Sequence, residues 1–159
     1  MIQPDSSPIS NRELTLERVI DATPDKLFRA WTQPDLLKRW FCPKPWTVSA
    51  AELDVRPGGS NSIIMCSPEG QEHPNHGIYL EVVKNERLVF TDAFVEAWVP
   101  SEKAFMVATI TFEPFGSKTR YLARVQHWNV ADRETHENMG FHEGWAKATD
   151  QLAELAASL

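Results

Sequence analysis

Between Thr47 and Val130 the chain runs through six stretches rich in β-branched and aromatic residues: TVSAAELDVR, SIIMCS, GIYLEVVK, RLVFTDAF, KAFMVATITFEPF and TRYLARVQHWNV. Turn-forming segments (PGGSN, SPEGQEHPN, KNE, VPSE and FGSK) separate them. Loops this short join strands that lie side by side, so the segment reads as an antiparallel meander. Ahead of it, ELTLERVID (13–21) alternates, with Leu14, Leu16 and Arg18 on one face, and predicts a first strand. Thr23 as N-cap, Pro24 and Asp25 then open a short helix with Leu27, Phe28 and Trp31 on its apolar face. Pro34 ends that helix and opens a second, carrying Leu37, Trp40 and Phe41. After the meander one long helix is predicted from about Asp132 to Ser158. Strand, two short helices, six strands and a long helix make an α+β domain, its helices segregated to one side of an antiparallel sheet.

Alternation assigns faces within the sheet. Met106, Ala108, Ile110 and Phe112 form the inward set of one strand; Tyr121, Ala123, Val125 and His127 form that of the next, with Trp128 outward. On the last helix Phe141, Trp145, Ala148, Thr149, Leu152, Leu155 and Ala156 share a face opposite Glu143, Lys147, Asp150 and Glu154. Gly140, Gly144 and Ala148 form a groove beside the aromatic ridge. It reads as room for a bulky neighbour, with a kink near Gly140 as the other explanation. Thr149 interrupts an apolar face, either as a hydroxyl bonded back to the preceding turn or as a polar handle in a cavity.

The bulk figures narrow the function classes. The 159 residues suit one domain, read as 13–159 behind a flexible N-terminal stretch, 1–12. A net charge of −6 argues against a nucleic-acid binder, which needs clustered Lys and Arg. The N-terminus has neither a basic start nor an apolar run, so no signal peptide is read, and no stretch approaches the roughly 20 apolar residues of a membrane helix. With two cysteines, Cys42 and Cys66, lacking framework spacing, the expected location is the cytoplasm. Both cysteines read as small buried hydrophobes.

Candidate chemistry is sparse. RPGGS lacks the spacing and following helix of a phosphate loop and reads as a turn with Gly at positive φ. HPNH (73–76) has a metal-like spacing but no second ligand pair, so no metal site and no cofactor is expected. His127 is the best functional histidine, since its parity points it inward; a satisfied buried histidine is the competing reading. Asp54 and Arg56 share parity and read as an ion pair, and Tyr79 and Glu81 share parity as candidate inward polar groups. No nucleophile–base–orienter set is present. Among six tryptophans, Trp98 lies in a connection and is a candidate for a dimer contact, a lid, or packing on its own loop.

LFRAWTQPDLLKRWF (27–41), DVRPGGS (54–60), GIYLEVVKNERLVFT (77–91), ITFEPFGSKT (110–119) and GWAKATDQLAEL (144–155) together resemble homologues of the activator of the heat-shock protein 90 ATPase. Those proteins belong to the START-like (SRPBCC) superfamily, with the birch-pollen-allergen fold and the polyketide aromatase/cyclases. The resemblance implies a helix-grip fold: a strongly curved antiparallel sheet wrapped around the C-terminal helix, with a deep apolar cavity between. Thr149 departs from the Leu common in the family. From sequence and resemblance the expected function is binding of a hydrophobic or amphipathic small molecule. The expected walls are Trp40, Met65, Tyr79, Phe112, His127, Phe141, Trp145 and Thr149. The alternatives are a small cavity enzyme of the aromatase/cyclase or hydrolase kind, and a chaperone-interaction module.

Overall fold

The computed structural model describes residues 9–159. Residues 1–8 of the expected flexible stretch lie outside the described residues, and Ile9–Arg12 form a 3-10 turn instead. Strand β1 (Glu13–Ile20) leads into α1 (Pro24–Thr32) and α2 (Pro34–Leu37), both opened by Pro at a first helical position. Thr23 caps α1 by position, without a side-chain hydrogen bond. Then follow β2 (Thr47–Leu53), β3 (Ser60–Cys66), β4 (Glu72–Val83) and β5 (Arg87–Thr91), a small hairpin of β6 (Phe94–Glu96) and β7 (Val99–Pro100), and β8 (Met106–Phe115) and β9 (Lys118–His127). The main sheet has seven strands in the order β1-β9-β8-β5-β4-β3-β2, antiparallel throughout.

Register fixes the inward face. Leu88 and Phe90 of β5 oppose Val82 and Tyr79 of β4 on one side and Ile110 and Ala108 of β8 on the other. Ile110 and Ala108 in turn oppose Ala123 and Val125 of β9. The alternation expected for β8 and β9 is therefore correct, and Trp128 is exposed. Two expectations fail for local reasons. A bulge at Leu80 lets Tyr79 and Glu81 turn to opposite faces. Glu81, opposite Val89, points outward and pairs with Arg87, so it is no inward polar group. HPNH belongs to β4 rather than to a loop. Pro74 is tolerated because β5 pairs with β4 only from Ile78 onward, leaving that end of β4 joined to β3 alone.

The long C-terminal helix is two helices, α3 (Val130–Asn138) and α4 (Phe141–Ala157). Asn129 caps α3 by accepting from the Asp132 N–H at 2.7 Å. Gly140 has φ +94° and separates the two, so the break falls where the kink was expected. Gly144 is another matter. A Cβ placed there would meet nothing within 4 Å, so no bulky neighbour fills the expected groove. Gly144→Ala should stabilise the protein by about 0.5–1 kcal/mol through helix propensity alone, raising Tm by roughly 2–4 °C. A lower Tm in differential scanning calorimetry would show that the space is used.

Helices α1 and α4 pack together, and α4 also lies along β1. The segment after α2 is tied to α4: Gln151 donates to the Trp40 and Cys42 carbonyls and Lys147 donates to the Lys44 carbonyl. Trp98, at φ +65° and 74% exposed, packs edge-on against Phe94 in its own hairpin.

Candidate functional site

The concave face of the sheet and the apolar face of α4 bound the site. Across β2, β3, β4 and β5 the inward residues are Val48, Ala51 and Leu53; Asn61, Ile63 and Met65; His73, Asn75, Tyr79 and Val82; and Leu88 and Phe90. A bulge between Val48 and Ala50 resets the parity of β2. The inward apolar side chains are unevenly covered. Ile63, Leu88 and Ile110 are buried, whereas Ala51, Leu53, Met65, Val82, Phe90, Met106 and Trp145 are only half-buried. Half exposure on an inward face means that water reaches the space in front of those side chains.

The eight expected wall residues do not form one surface. Trp40 and Phe112 belong to the closed core under α1. The Trp40 indole N–H donates to the Ala30 carbonyl at 2.9 Å, and Phe112 packs against Phe28 and Tyr121, each 5.9 Å between ring centroids. Met65 and Trp145 are half-buried and pack against that core, and Tyr79 is a buried member of it on inward-facing β4. Phe141, whose ring stands 4.9 Å from that of Trp145, joins a smaller cluster with Leu14, Ala108 and Val125. Phe90 and Trp145 touch both clusters and lie at the seam. Thr149 is buried, and its hydroxyl donates to the Trp145 carbonyl at 2.7 Å, the back-bonded arrangement.

His127 is a satisfied buried histidine. Its Nδ1 lies 2.8 Å from the Arg12 carbonyl and its Nε2 lies 2.9 Å from Nδ1 of His136. A carbonyl only accepts, so Nδ1 of His127 carries the proton. With both rings neutral, His136 donates from Nδ1 to His127 Nε2. The pair sits among aromatic rings: Phe105 contacts both histidines, and Phe141 and Trp145 contact His136. Sequence reasoning missed His136. Its signal was the half-buried stripe Asp132, Arg133, His136 and Glu137 on α3, spaced like one helical face. Burial, with His127 beside it, pushes the His136 pKa down to about 4.

The fold therefore favours the neutral His136 ring. Its stabilising effect is complete above about pH 6.5 and is lost as pH falls toward 4, for a total of about 2 kcal/mol once the ring's partial exposure is allowed for. Urea unfolding at pH 7.5 and pH 4.5, for the wild type and His136→Phe, isolates this contribution. The wild type should lose about 2 kcal/mol more than the variant over that interval; parallel losses would remove His136 as the cause.

Other candidates resolve simply. His73 and His76 point to opposite faces of β4, His73 inward against Trp46. Among the described residues no group of three or more His, Cys, Asp or Glu is placed to hold a metal ion. Cys42 is buried, and burial pushes its thiol up to about 11, which suits a core residue rather than a nucleophile. Arg56 donates to the Asp54 carboxylate at 2.9 Å, the expected ion pair. A cleft of about 490 Å³ lies between the start of α1, the β4–β5 turn and β8. Asp25, Glu86, Arg87 and Glu113 give it a charged rim, and Phe112, one of the expected wall residues, lines it with Pro24 and Pro114. No helix among the described residues is long and apolar enough to cross a membrane.

Comparison with known proteins agrees with this architecture. No curated protein matches the chain. A solved structure of a protein from Nitrosomonas europaea is 41% identical, with a TM-score of 0.91 over 94% of this chain and 96% of that one. A protein from Chromobacterium violaceum is 29% identical, with a TM-score of 0.74 over 91% of this chain and 96% of that one. One from Mycobacterium smegmatis, at 20% identity, shares the fold, with a TM-score of 0.78 over 93% and 92% of the two chains. The family model described as Activator of Hsp90 ATPase homolog 1-like protein matches residues 21–157. With the helix-grip arrangement of sheet and terminal helix, that match places the chain in the family of Activator of Hsp90 ATPase homolog 1-like proteins.

Proposed function

We propose that this protein binds a hydrophobic or amphipathic small molecule between the concave sheet and α4. The fold and family are compatible with either a ligand-binding or a chaperone-related module. One observation favours the ligand. Met65, Phe90, Met106 and Trp145 face inward yet stay half-buried, so apolar surface remains for a guest to cover. Covering it supplies about 25 cal/mol per Å², and a guest that binds only the native state raises Tm by mass action. No side chain in the region forms a nucleophile–base pair, so binding rather than turnover is the reading the geometry supports.

Protein purified natively from its host should release a co-eluting apolar compound on denaturation, detectable by mass spectrometry. Re-adding that compound should raise the Tm of the stripped protein by several degrees. Met65→Trp, which fills the space from β3, should abolish that shift while the unliganded protein still unfolds cooperatively. A shift unchanged in Met65→Trp would place the guest elsewhere. A protein that releases nothing and answers no apolar compound would end the proposal.

A further inference from the structure

The composition of this face restricts the guest's chemistry. From β2 to β5 the inward positions carry no carboxylate, ammonium or guanidinium group. The facing side of α4, with Phe141, Trp145, Ala148, Thr149 and Leu152, carries none either. Glu81 and Arg87 are paired on the outer face. Arg18 of the edge strand β1 has inward parity, opposite Tyr121, but lies at the far side of the sheet and donates to the Glu17 carbonyl. An ionised head group in the half-covered region would thus lose hydration with no counter-charge, a cost that an uncharged head does not meet.

Hydrogen-bonding capacity is nonetheless left over. Tyr79 is 4% exposed, and its hydroxyl has no protein hydrogen-bond partner among the described residues, yet it is not one of the water-shielded polar atoms, so it reaches solvent. A guest that displaces water from it must supply the partner in turn. Burial, and after it the Asp54 carboxylate nearby, push the Tyr79 pKa up, so the group stays a neutral O–H donor. That carboxylate is already paired with Arg56, so it offers no free counter-charge to a cation. The indole N–H of half-buried Trp145 and the Asn61 amide are likewise without partners among the described residues. Two of these unused groups, the Tyr79 hydroxyl and the Trp145 indole N–H, offer donors, and Thr149 already spends its proton on the Trp145 carbonyl.

Resting on the binding proposal above, we infer that the guest is an uncharged molecule whose apolar body ends in an oxygen, a ketone or alcohol, that accepts a hydrogen bond from the Tyr79 hydroxyl. The body covers Met65, Phe90 and Trp145, and the oxygen satisfies Tyr79. A carboxylic acid or amine of equal length is excluded by charge, and a plain alkane leaves the hydroxyl unsatisfied.

The test is a matched series of decan-2-one, decan-1-ol, decanoate and decylammonium, titrated at pH 7.5 against tryptophan fluorescence and Tm. The two neutral compounds should bind at least about tenfold more tightly than either ion, and Tyr79→Phe should weaken decan-2-one about five- to tenfold. That substitution removes only an unpartnered hydroxyl, so it should leave the unliganded Tm near the wild-type value. Ions binding as tightly as the neutral compounds, or decan-2-one indifferent to Tyr79→Phe, would overturn the inference and leave the cavity reading standing. Binding by none of the four would overturn both.

Discussion

Replacing Phe112 with Ala should destabilise the protein by about 3–5 kcal/mol, the range for deleting a buried aromatic from a core that closes incompletely. Phe112 is 2% exposed and stands on β8 where α1 crosses the sheet. Its ring meets Phe28 at 77° and Tyr121 at 59°, both at 5.9 Å. Tyr121 is in turn fixed by the Trp31 indole, which donates to its hydroxyl at 3.1 Å, and Trp31 stacks edge-on against Trp40 at 4.9 Å. Removing Phe112 withdraws support from the Tyr121 end of that buried hydrogen bond. The hole cannot be refilled cheaply, because Ile110, Tyr121 and Leu27 around the cluster are already in place at 2% exposure or less. Met65→Ala, at the half-covered face, should cost clearly less, about 1–2 kcal/mol, since part of that side chain is already wet. Urea unfolding of the two variants therefore separates core from wall. A Phe112→Ala loss below about 1.5 kcal/mol would mean that the region under α1 is loosely filled.

Much of this division was legible in the sequence, and the failures share a cause. Alternation placed Ala108, Ile110 and Phe112, and Tyr121, Ala123 and Val125, correctly because regular pairing preserves parity along β8 and β9. It failed at Glu81 because one extra residue in β4, at Leu80, reverses parity without a sequence mark. The start of β4 was hidden by Pro74, which argues against a strand only where a neighbouring strand needs an N–H at that position. Helical periodicity gave the inward face of α4 but ran through Gly140, whose positive φ resets the direction of α3. That break, together with a contact nine residues apart in sequence, is why the His127–His136 pair could not be read from spacing. The site was named partly through residues that are core. Apolar character identifies an inward side chain, whereas only coordinates tell whether another side chain already covers it.

Gly59→Ala should cost about 3 kcal/mol, the upper end for steric overpacking, and Gly58→Ala only about 1 kcal/mol, although the two glycines are adjacent in one turn. Gly58 has φ +80°, but a Cβ there would meet only Ala97, at 3.9 Å, so its penalty is conformational. At Gly59 a Cβ would stand 1.9 Å from the Asp54 carbonyl oxygen and 2.9 Å from its carbon. Those atoms are backbone and cannot rotate away. The Asp54 N–H donates to the Ser60 carbonyl, and its own carbonyl accepts from Arg56, both at 2.9 Å. The turn also anchors Tyr79: Gly58 N–H donates to the Tyr79 carbonyl at 2.7 Å, and Tyr79 N–H donates to the Gly59 carbonyl at 2.9 Å. A shift that relieves the clash therefore moves Tyr79, the residue to which the inference above assigns the guest's oxygen. Gly59→Ala should weaken decan-2-one binding as well as lower the urea midpoint, while Gly58→Ala should spare binding. Equal losses of stability at the two positions would show that the turn yields around a Cβ and that the Asp54 carbonyl does not dictate glycine there.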